Sequence, residues 1–528
     1  MKRLLTIALT ALVLVPAPAT SQTPVNSADR LIFWTGCRVV AALTDAELDA
    51  WEDRGVDGFV CTHQHLRDMG GTQNFTADPN HPLSTSDYDL QRTIRDSGIV
   101  GRAHARGMKL YLSVYLVNYY NNATPLKDWF DDAGWSGTVL PKLGDVAGAA
   151  RLLGFDGLAF DQELYGRPEG AQRWPWNYPG NSHTEAEVRA KARERGRQVM
   201  TQVLKAFPGV DLLTYHYNFA GDWNSIVQKR YNDLDDFGAN ALFIDWYSGL
   251  SSVEGYAAIR LINTNFHKVK APAATWDIAM QYEANHLLSL FSRSFPNWSY
   301  AAGRVHPTPF SWIDAGPSAT STYDDAKPPA EVEVQLAAMR KWGTGGEFLN
   351  FSFQDIRSFD YSPYVAGMQK ASSPGEVDST PPKLAVSTPT GGSSTVDLTG
   401  VVTDDMAVRS VSWSDDRGHS GVARTTFRVL SGDYLTGYDW QVDWQATVPL
   451  TSGPNVVTVT VEDVKGLRTT SSVTVDGPPA TVTTTTSTSL PTTTTTVAPT
   501  TTTTVATTTT TVPKTTTTTA PKKGKGRK

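Results

Sequence analysis

Two carboxylates one residue apart, Asp161 and Glu163, sit near the end of the segment Gly154-Phe155-Asp156-Gly157-Leu158-Ala159-Phe160-Asp161-Gln162-Glu163-Leu164-Tyr165. The apolar run before them reads as a strand. Side chains repeat every two residues along a strand, so the two acids face the same way, about 7 Å apart. At the mouth of a closed site such a pair differs in acidity. The deeper acid stays ionised, while the outer one, desolvated beside a negative neighbour, holds a proton. A proton donor beside a fixed anion is what cleavage of a glycosidic bond needs: the leaving oxygen is protonated and an oxocarbenium-like transition state is steadied. An ordinary pair of exposed loop carboxylates would have the same spacing. Its position directly after an apolar strand favours the chemical reading.

Such a pair needs a frame, and the chain repeats one unit of strand, turn and helix. Leu31-Ile32-Phe33-Trp34 is followed by Thr44-Asp45-Ala46-Glu47, a capping-box start to a helix. Further strands are expected at 56–61, 108–115, 157–163, 211–217, 241–247, 272–277 and 347–351, with helices around 87–106, 143–153 and 184–206. That makes eight strands, most of them continuous apolar runs, as helices covering a parallel sheet require. Eight such units suit an α/β (β/α)8 TIM barrel over residues 28–372 better than an open doubly wound sheet. No GxGxxG follows any of these strands, which weakens a dinucleotide site.

Chemistry in such barrels gathers at the C-terminal ends of the strands. The residues there are rich in aromatics, carboxylates and amides: Trp34, His63, Tyr115, Tyr217, Asp245, Tyr247, Trp276 and Asn350. Flat rings stack on the C–H faces of sugars, and carboxylates and amides bind hydroxyls; taken singly, each aromatic also suits the core. His63 and His65 are the one hint of a metal site, and no HExxH pattern supports them. They read as substrate-binding or structural. Neither a metal nor a cofactor is expected.

The segment around Asp161 resembles the DGxDxDxE signature of family 18 glycoside hydrolases, the chitinases and endo-β-N-acetylglucosaminidases. Asp156, Gly157, Asp161 and Glu163 match; Ala159 stands where the family has its middle Asp, and Gln162 where Trp or Tyr is usual. The third strand keeps Ser113 of the family's SxGG. The resemblance implies that Glu163 is the general acid and that Asp161 orients a substrate 2-acetamido group. Gly-Phe-Asp-Gly-x-x-x-Asp also resembles α-glycosidase and dextranase-type barrels, which would make Asp161 a covalent nucleophile with an acid such as Asp245. Gln162-Glu163 is similar to the Asn-Glu acid/base pair of retaining β-glycosidases, although Asp277 is the one acid in 271–280 and no Glu stands there. A barrel that only binds glycans is the remaining reading.

The rest of the chain says where such a protein works. Lys2 and Arg3 precede an apolar run from Leu4 to Val15 and small residues up to Ser21, the pattern of a signal peptide over residues 1–21. Residues 378–476 lose the helical period and become short Val/Thr/Ser-rich strands, with Trp413, Trp440 and Trp444 among them. They resemble the bacterial immunoglobulin-like modules of secreted carbohydrate-active enzymes, an all-β sandwich. Residues 477–528 hold four five-Thr runs, cannot offset their ordering entropy, and are expected to form a disordered stalk. The net charge of −6 is unevenly placed: six cations and no acid from Gly477 onward leave −12 on the residues before it. An acidic body argues against nucleic acid, and the expected partner is a polysaccharide or glycan. The basic end is expected either to rest on an anionic envelope polymer or to be a solvated tail. The protein is therefore expected to be secreted, extracellular or associated with the cell envelope. The only two cysteines, Cys37 and Cys61, fall near the ends of neighbouring strands, as a disulfide or as two buried thiols.

Overall fold

The computed structural model describes residues 30–62, 75–84, 86–116, 128–162, 176–178, 180–217, 241–263, 273–308, 310–311, 313, 328–343, 347–351, 356–357, 359–372 and 378–480, apart from 388, 390–391 and 434–435. Its first part is an α/β barrel. Strands β1 (Arg30–Gly36), β2 (Gly58–Thr62), β3 (Lys109–Tyr115), β4 (Gly157–Asp161), β5 (Asp211–Tyr217), β6 (Ala258–Asn263), β7 (Val305–Thr308), β8 (Phe310–Ser311) and β9 (Glu347–Phe351) run in the order β7-β6-β5-β4-β3-β2-β1-β9-β8. Every neighbouring pair is parallel. One residue separates β7, which bonds β6, from β8, which bonds β9. The two short strands thus act as one stave that closes the ring.

Alternation along the strands divides the apolar residues between two cores. Ile32, Trp34, Val60, Tyr111, Ala159, Leu213 and Ile262 fill the barrel interior. Phe33, Phe59, Leu112 and Phe160, one residue out of phase, pack in the layer shared with the helices. Thr44 opens the helix Asp45–Asp53 with the capping box the sequence announces: its side chain accepts from the Glu47 N–H, and Glu47 reaches back to the Thr44 N–H.

Two expected strands are helices. Residues 241–247 lie in the helix Ala241–Ser251, and 273–277 of the stretch 272–277 lie in the helix Ala273–Ser294. The first is buried on every side, with Asp245, Ser248 and Ser251 enclosed along with its apolar residues, so its start shows no helical stripe. It lies tightly against the helix Glu185–Ala206. At Gly196 an added Cβ would overlap the Trp246 carbonyl, and at Gly249 the Arg193 carbonyl, so the two backbones touch where both side chains are missing. The true sixth and seventh staves, Ala258–Asn263 and Val305–Thr308, carry Arg260, His306 and Pro307 and do not read as apolar runs.

The later strands form two antiparallel sheets of four. One holds β10 (Lys383–Val386), β11 (Thr395–Thr403), β15 (Gly437–Pro449) and β14 (Arg424–Asp433); the other β13 (Ser420–Val422), β12 (Val408–Asp415), β16 (Pro454–Asp463) and β17 (Arg468–Asp476). Leu398, Val402, Val411, Val442, Trp444, Val459 and Val461 lie in the core between them. On β12 strict alternation would set Val408 opposite to Val411 and Trp413. A shift in register between Val408 and Ser410 inserts an extra residue, and all three become buried.

The β domain is fastened to the barrel through the helix Ala273–Ser294. Tyr282 packs edge-on against Phe427 and at a tilt against Tyr438. The Ser292 hydroxyl accepts the Thr425 N–H at 2.9 Å, and Asn285 Oδ1 accepts the Val408 N–H at 3.1 Å, both buried. Lys465 donates to the Arg340 carbonyl on the helix Pro329–Trp342. Cys37 and Cys61 form a disulfide closing a separation of 24 residues. Among the described residues no helix is long and apolar enough to cross a membrane.

Candidate functional site

Asp161 is the last residue of β4, in register with Tyr115 on β3 and Tyr215 on β5. Ala159, two residues earlier, and Tyr111, four before Tyr115, both lie in the interior core. Period two therefore sends the Asp161 and Tyr115 side chains into the barrel at its C-terminal end. Asp161 is 2 % exposed and Tyr115 half-buried. Beneath them, Ser113 is fully buried, and its hydroxyl finds no hydrogen-bond partner.

Gln162 follows, fully buried, on the other side of the strand. Its Oε1 accepts from the Tyr247 hydroxyl at 3.4 Å, and Tyr247 also bonds Thr214 of β5. Burial pushes the Tyr247 phenol well above its ordinary range, so it stays protonated and can donate. The end of β4 is thus gripped from behind by a residue of the surrounding helix layer. Thr214 is the member of this group that the sequence did not single out. It follows from alternation: Leu213 points inward, so Thr214 must point out toward the helices.

The opposite end of the barrel is plugged. Arg260 pairs with Asp211, whose other oxygen accepts from the Tyr111 hydroxyl at 3.0 Å, and Lys109 lies 3.6 Å away. Asp156 accepts the Leu110 N–H at 2.8 Å and lies 2.9 Å from His104 Nε2, tying β3 to the start of β4. This part of the signature-like segment is architectural.

The other expected site residues divide sharply. Trp34 points into the barrel, 1 % exposed, in the layer with Val60 and Tyr111, and packs the interior below the mouth. Tyr217 ends β5 in register with Asn263, and Asn350 lies on β9 in register with Phe33 and Ser311. His63 and Glu163 lie outside the described residues. Three expectations are corrected. Asp245 is no strand-end ligand: it lies on an outer helix, where Arg189 and Arg193 hold its carboxylate against the neighbouring helix. Tyr247 is on the same helix and meets Gln162 rather than an open cleft. Trp276 lies in the helix layer, 0 % exposed. All three fell in the two segments read as strands. Among the described residues, no three His, Cys, Asp or Glu side chains are gathered into a metal cage.

No protein-family model matches the chain. No curated protein matches it either. Solved structures do. A class V chitinase from Pseudomonas fluorescens is 15 % identical, with 66 % of this chain and 100 % of that one covered at a TM-score of 0.35. A broad-specificity endoglucanase from an uncultured bacterium is 12 % identical, covering 62 % and 84 % at 0.37. An endo-1,4-β-mannanase from Rhizomucor miehei is 9 % identical, covering 69 % and 99 % at 0.37. These neighbours are glycoside hydrolases.

Proposed function

We propose that this protein is an exported glycoside hydrolase that cleaves a polysaccharide or glycan at the C-terminal mouth of its barrel. The observation that carries the reading is Asp161: a carboxylate 2 % exposed, at the end of β4, on the face that lines the interior, beside Tyr115. A carboxylate so enclosed is held in one place, as an acid that acts on a bound sugar must be. Glu163, two residues further along the sequence, is the proton donor in this reading. Glu163 protonates the departing oxygen while Asp161 steadies the developing positive charge on the sugar, directly or by orienting an acetamido group. Tyr115 supplies a flat face at the rim.

The remaining parts fit an extracellular role. A disulfide between Cys37 and Cys61 suits an oxidising compartment, as the signal-like N-terminus does. The two four-stranded sheets suit an immunoglobulin-like module over 378–476. The Thr-rich residues 477–528 suit a stalk whose basic end rests on an anionic envelope.

The deciding experiment is a screen of the purified chain against soluble glycans, with and without N-acetylated sugars, beside Glu163→Gln. Hydrolysis by the wild type and its loss in the variant support the proposal. Binding without turnover on every glycan removes the enzyme reading in favour of a glycan-binding protein. Cleavage confined to non-acetylated substrates removes the substrate-assisted route.

A further inference from the structure

The hydrogen-bonded pairs of the barrel are not level with one another. Followed from Phe33 toward β9, pairing leads through Asn350 to Ser311 on the closing stave. Followed from Trp34 the other way, through Val60, Tyr111, Gly157, Asp211 and Ala258, it leads to Arg304, since Ile259 pairs with Val305. By that route Phe33, one residue back, meets Gly303, eight residues before Ser311. The ring therefore closes with a stagger of eight residues, one for each stave, as a barrel of eight tilted strands requires. Residues at one height lie one position further along each successive strand, and inward-facing ones gather in layers contributed by alternate strands.

This rule sorts the interior. Ile32, Tyr111 and Leu213 form one layer and Val60, Ala159 and Ile262 the next, all of them packed core. Trp34 and Ser113 share the layer above and are fully buried. Above these, Thr62 of β2 comes level with Asp161 of β4, and then Gly36 of β1 with Tyr115 of β3. Exposure climbs with height: Asp161 is buried, while Thr62, Gly36 and Tyr115 are half-buried. Thr62 thus holds a hydroxyl on the inward face at the height of the proposed catalytic carboxylate.

Its surroundings suit a polar ring. The Ser113 hydroxyl, on the strand between Thr62 and Asp161 and one layer down, is fully buried and has no hydrogen-bond partner. The floor therefore carries an unused polar group beside the Trp34 ring. Gly36 adds no side chain to the upper layer; among the described residues a Cβ there would touch only Val39 Cγ2, at 3.6 Å. Behind both strand ends the disulfide joins Cys37, directly after Gly36, to Cys61, directly before Thr62, and fixes them relative to each other. Backbones two strands apart are separated by about 10 Å, which leaves room between Thr62 and Asp161 for one edge of a sugar ring.

We propose that Thr62 is a substrate-binding residue whose hydroxyl hydrogen-bonds a ring hydroxyl of the sugar held between it and Asp161, over the floor of Ser113 and Trp34. A few fixed polar groups in a largely apolar cavity set the orientation of a ligand. Here Thr62 turns the ring so that the bond to be broken faces the end of β4. The inference rests on the glycosidase reading of the mouth and adds the residue that orients the sugar.

The test uses the full chain with Thr62→Val, which removes the hydroxyl and keeps the shape, and Thr62→Ser, which keeps the hydroxyl. On a glycan that the wild type cleaves, Thr62→Val should lower kcat/KM about tenfold or more, and Thr62→Ser about twofold or less. The three proteins should melt alike; if Thr62→Val does not fold, Thr62→Ala takes its place. A substrate deoxygenated at the ring position that Thr62 binds should lose the same factor with the wild type and nothing further with Thr62→Val. Turnover in Thr62→Val equal to the wild type overturns the proposal. So does an equal loss in Thr62→Ser, which is what a packing role gives, or additive losses at every deoxygenated position. If the wild type binds glycans without cleaving them, the same factors are read from Kd by calorimetry. A wild type that neither binds nor cleaves any glycan removes the glycosidase reading itself, and this inference with it.

Discussion

Asp161 and Glu163 carry different burdens in the proposed reaction, and substitution separates them. Glu163→Gln keeps shape and polarity but loses the transferable proton, so turnover should fall about 10²–10⁴-fold on substrates with poor leaving groups. The fall should shrink on aryl glycosides with acidic leaving groups, which need little protonation. Asp161→Asn should harm both kinds of substrate, because its charge serves the sugar. If azide restores Asp161→Ala and a glycosyl azide forms, Asp161 is a nucleophile. Tyr247 acts one step back, through Gln162. Tyr247→Phe should cost about 1 kcal/mol of stability for the lost buried hydrogen bond. Turnover should drop several-fold with KM little changed, as steady-state kinetics would show.

Among the elements, the helix Ala241–Ser251 is held to the helix Glu185–Ala206 by bare glycine contact and by Asp245 between two arginines. Asp245→Ala leaves Arg189 and Arg193 without their acid. Both guanidinium groups are partly exposed, 36 % and 46 %, so water compensates and the cost should be about 1–2 kcal/mol in a denaturant titration. Activity per folded molecule should not change, since Asp245 lies outside the mouth. Reducing the Cys37–Cys61 bridge should cost about 3 kcal/mol through the freed chain entropy of the unfolded state, measured as a shift in urea midpoint.

The same elements show how far the sequence could be read. The β4 segment, with Asp161 at its end, and the strands at β1, β2, β3, β5 and β9 were legible, because their apolar runs are bounded by turns or loops. β6 and β7 were not. Arg260 looks wrong for a strand until Asp211 is found beside it in the barrel floor, a partner 49 residues away. Pro307 is tolerated because it falls in a short closing stave. Conversely, Ala241-Leu242-Phe243-Ile244 looks like a strand because burial on every side erases the helical stripe. With those segments helical, Asp245, Tyr247 and Trp276 stand on helices rather than at strand ends.

For the whole molecule, removal of residues 478–528 should leave hydrolysis of a small soluble substrate unchanged, because that segment supplies no group to the mouth in the proposed mechanism. Ending the chain before residue 378 is a different matter. Tyr282, Ser292 and Asn285 would lose the Phe427 ring, the Thr425 amide and the Val408 amide. Such a barrel should melt several degrees lower in differential scanning fluorimetry, or aggregate.

The helix Ala273–Ser294 belongs to the barrel by sequence and to both parts by packing, and this has a cost in time. The barrel's last helix ends at Ser372, and the final strand of the β domain ends at Asp476, so about 100 residues must follow before the helix gains its cover. At roughly 5–20 residues per second of synthesis, a finished barrel waits on the order of 5–20 s with that aromatic face bare. The interval is long against collapse and long against collision with a neighbouring chain. A newly made copy is most vulnerable then, and a holdase that recognises bare aromatic surface would have its greatest effect in those seconds.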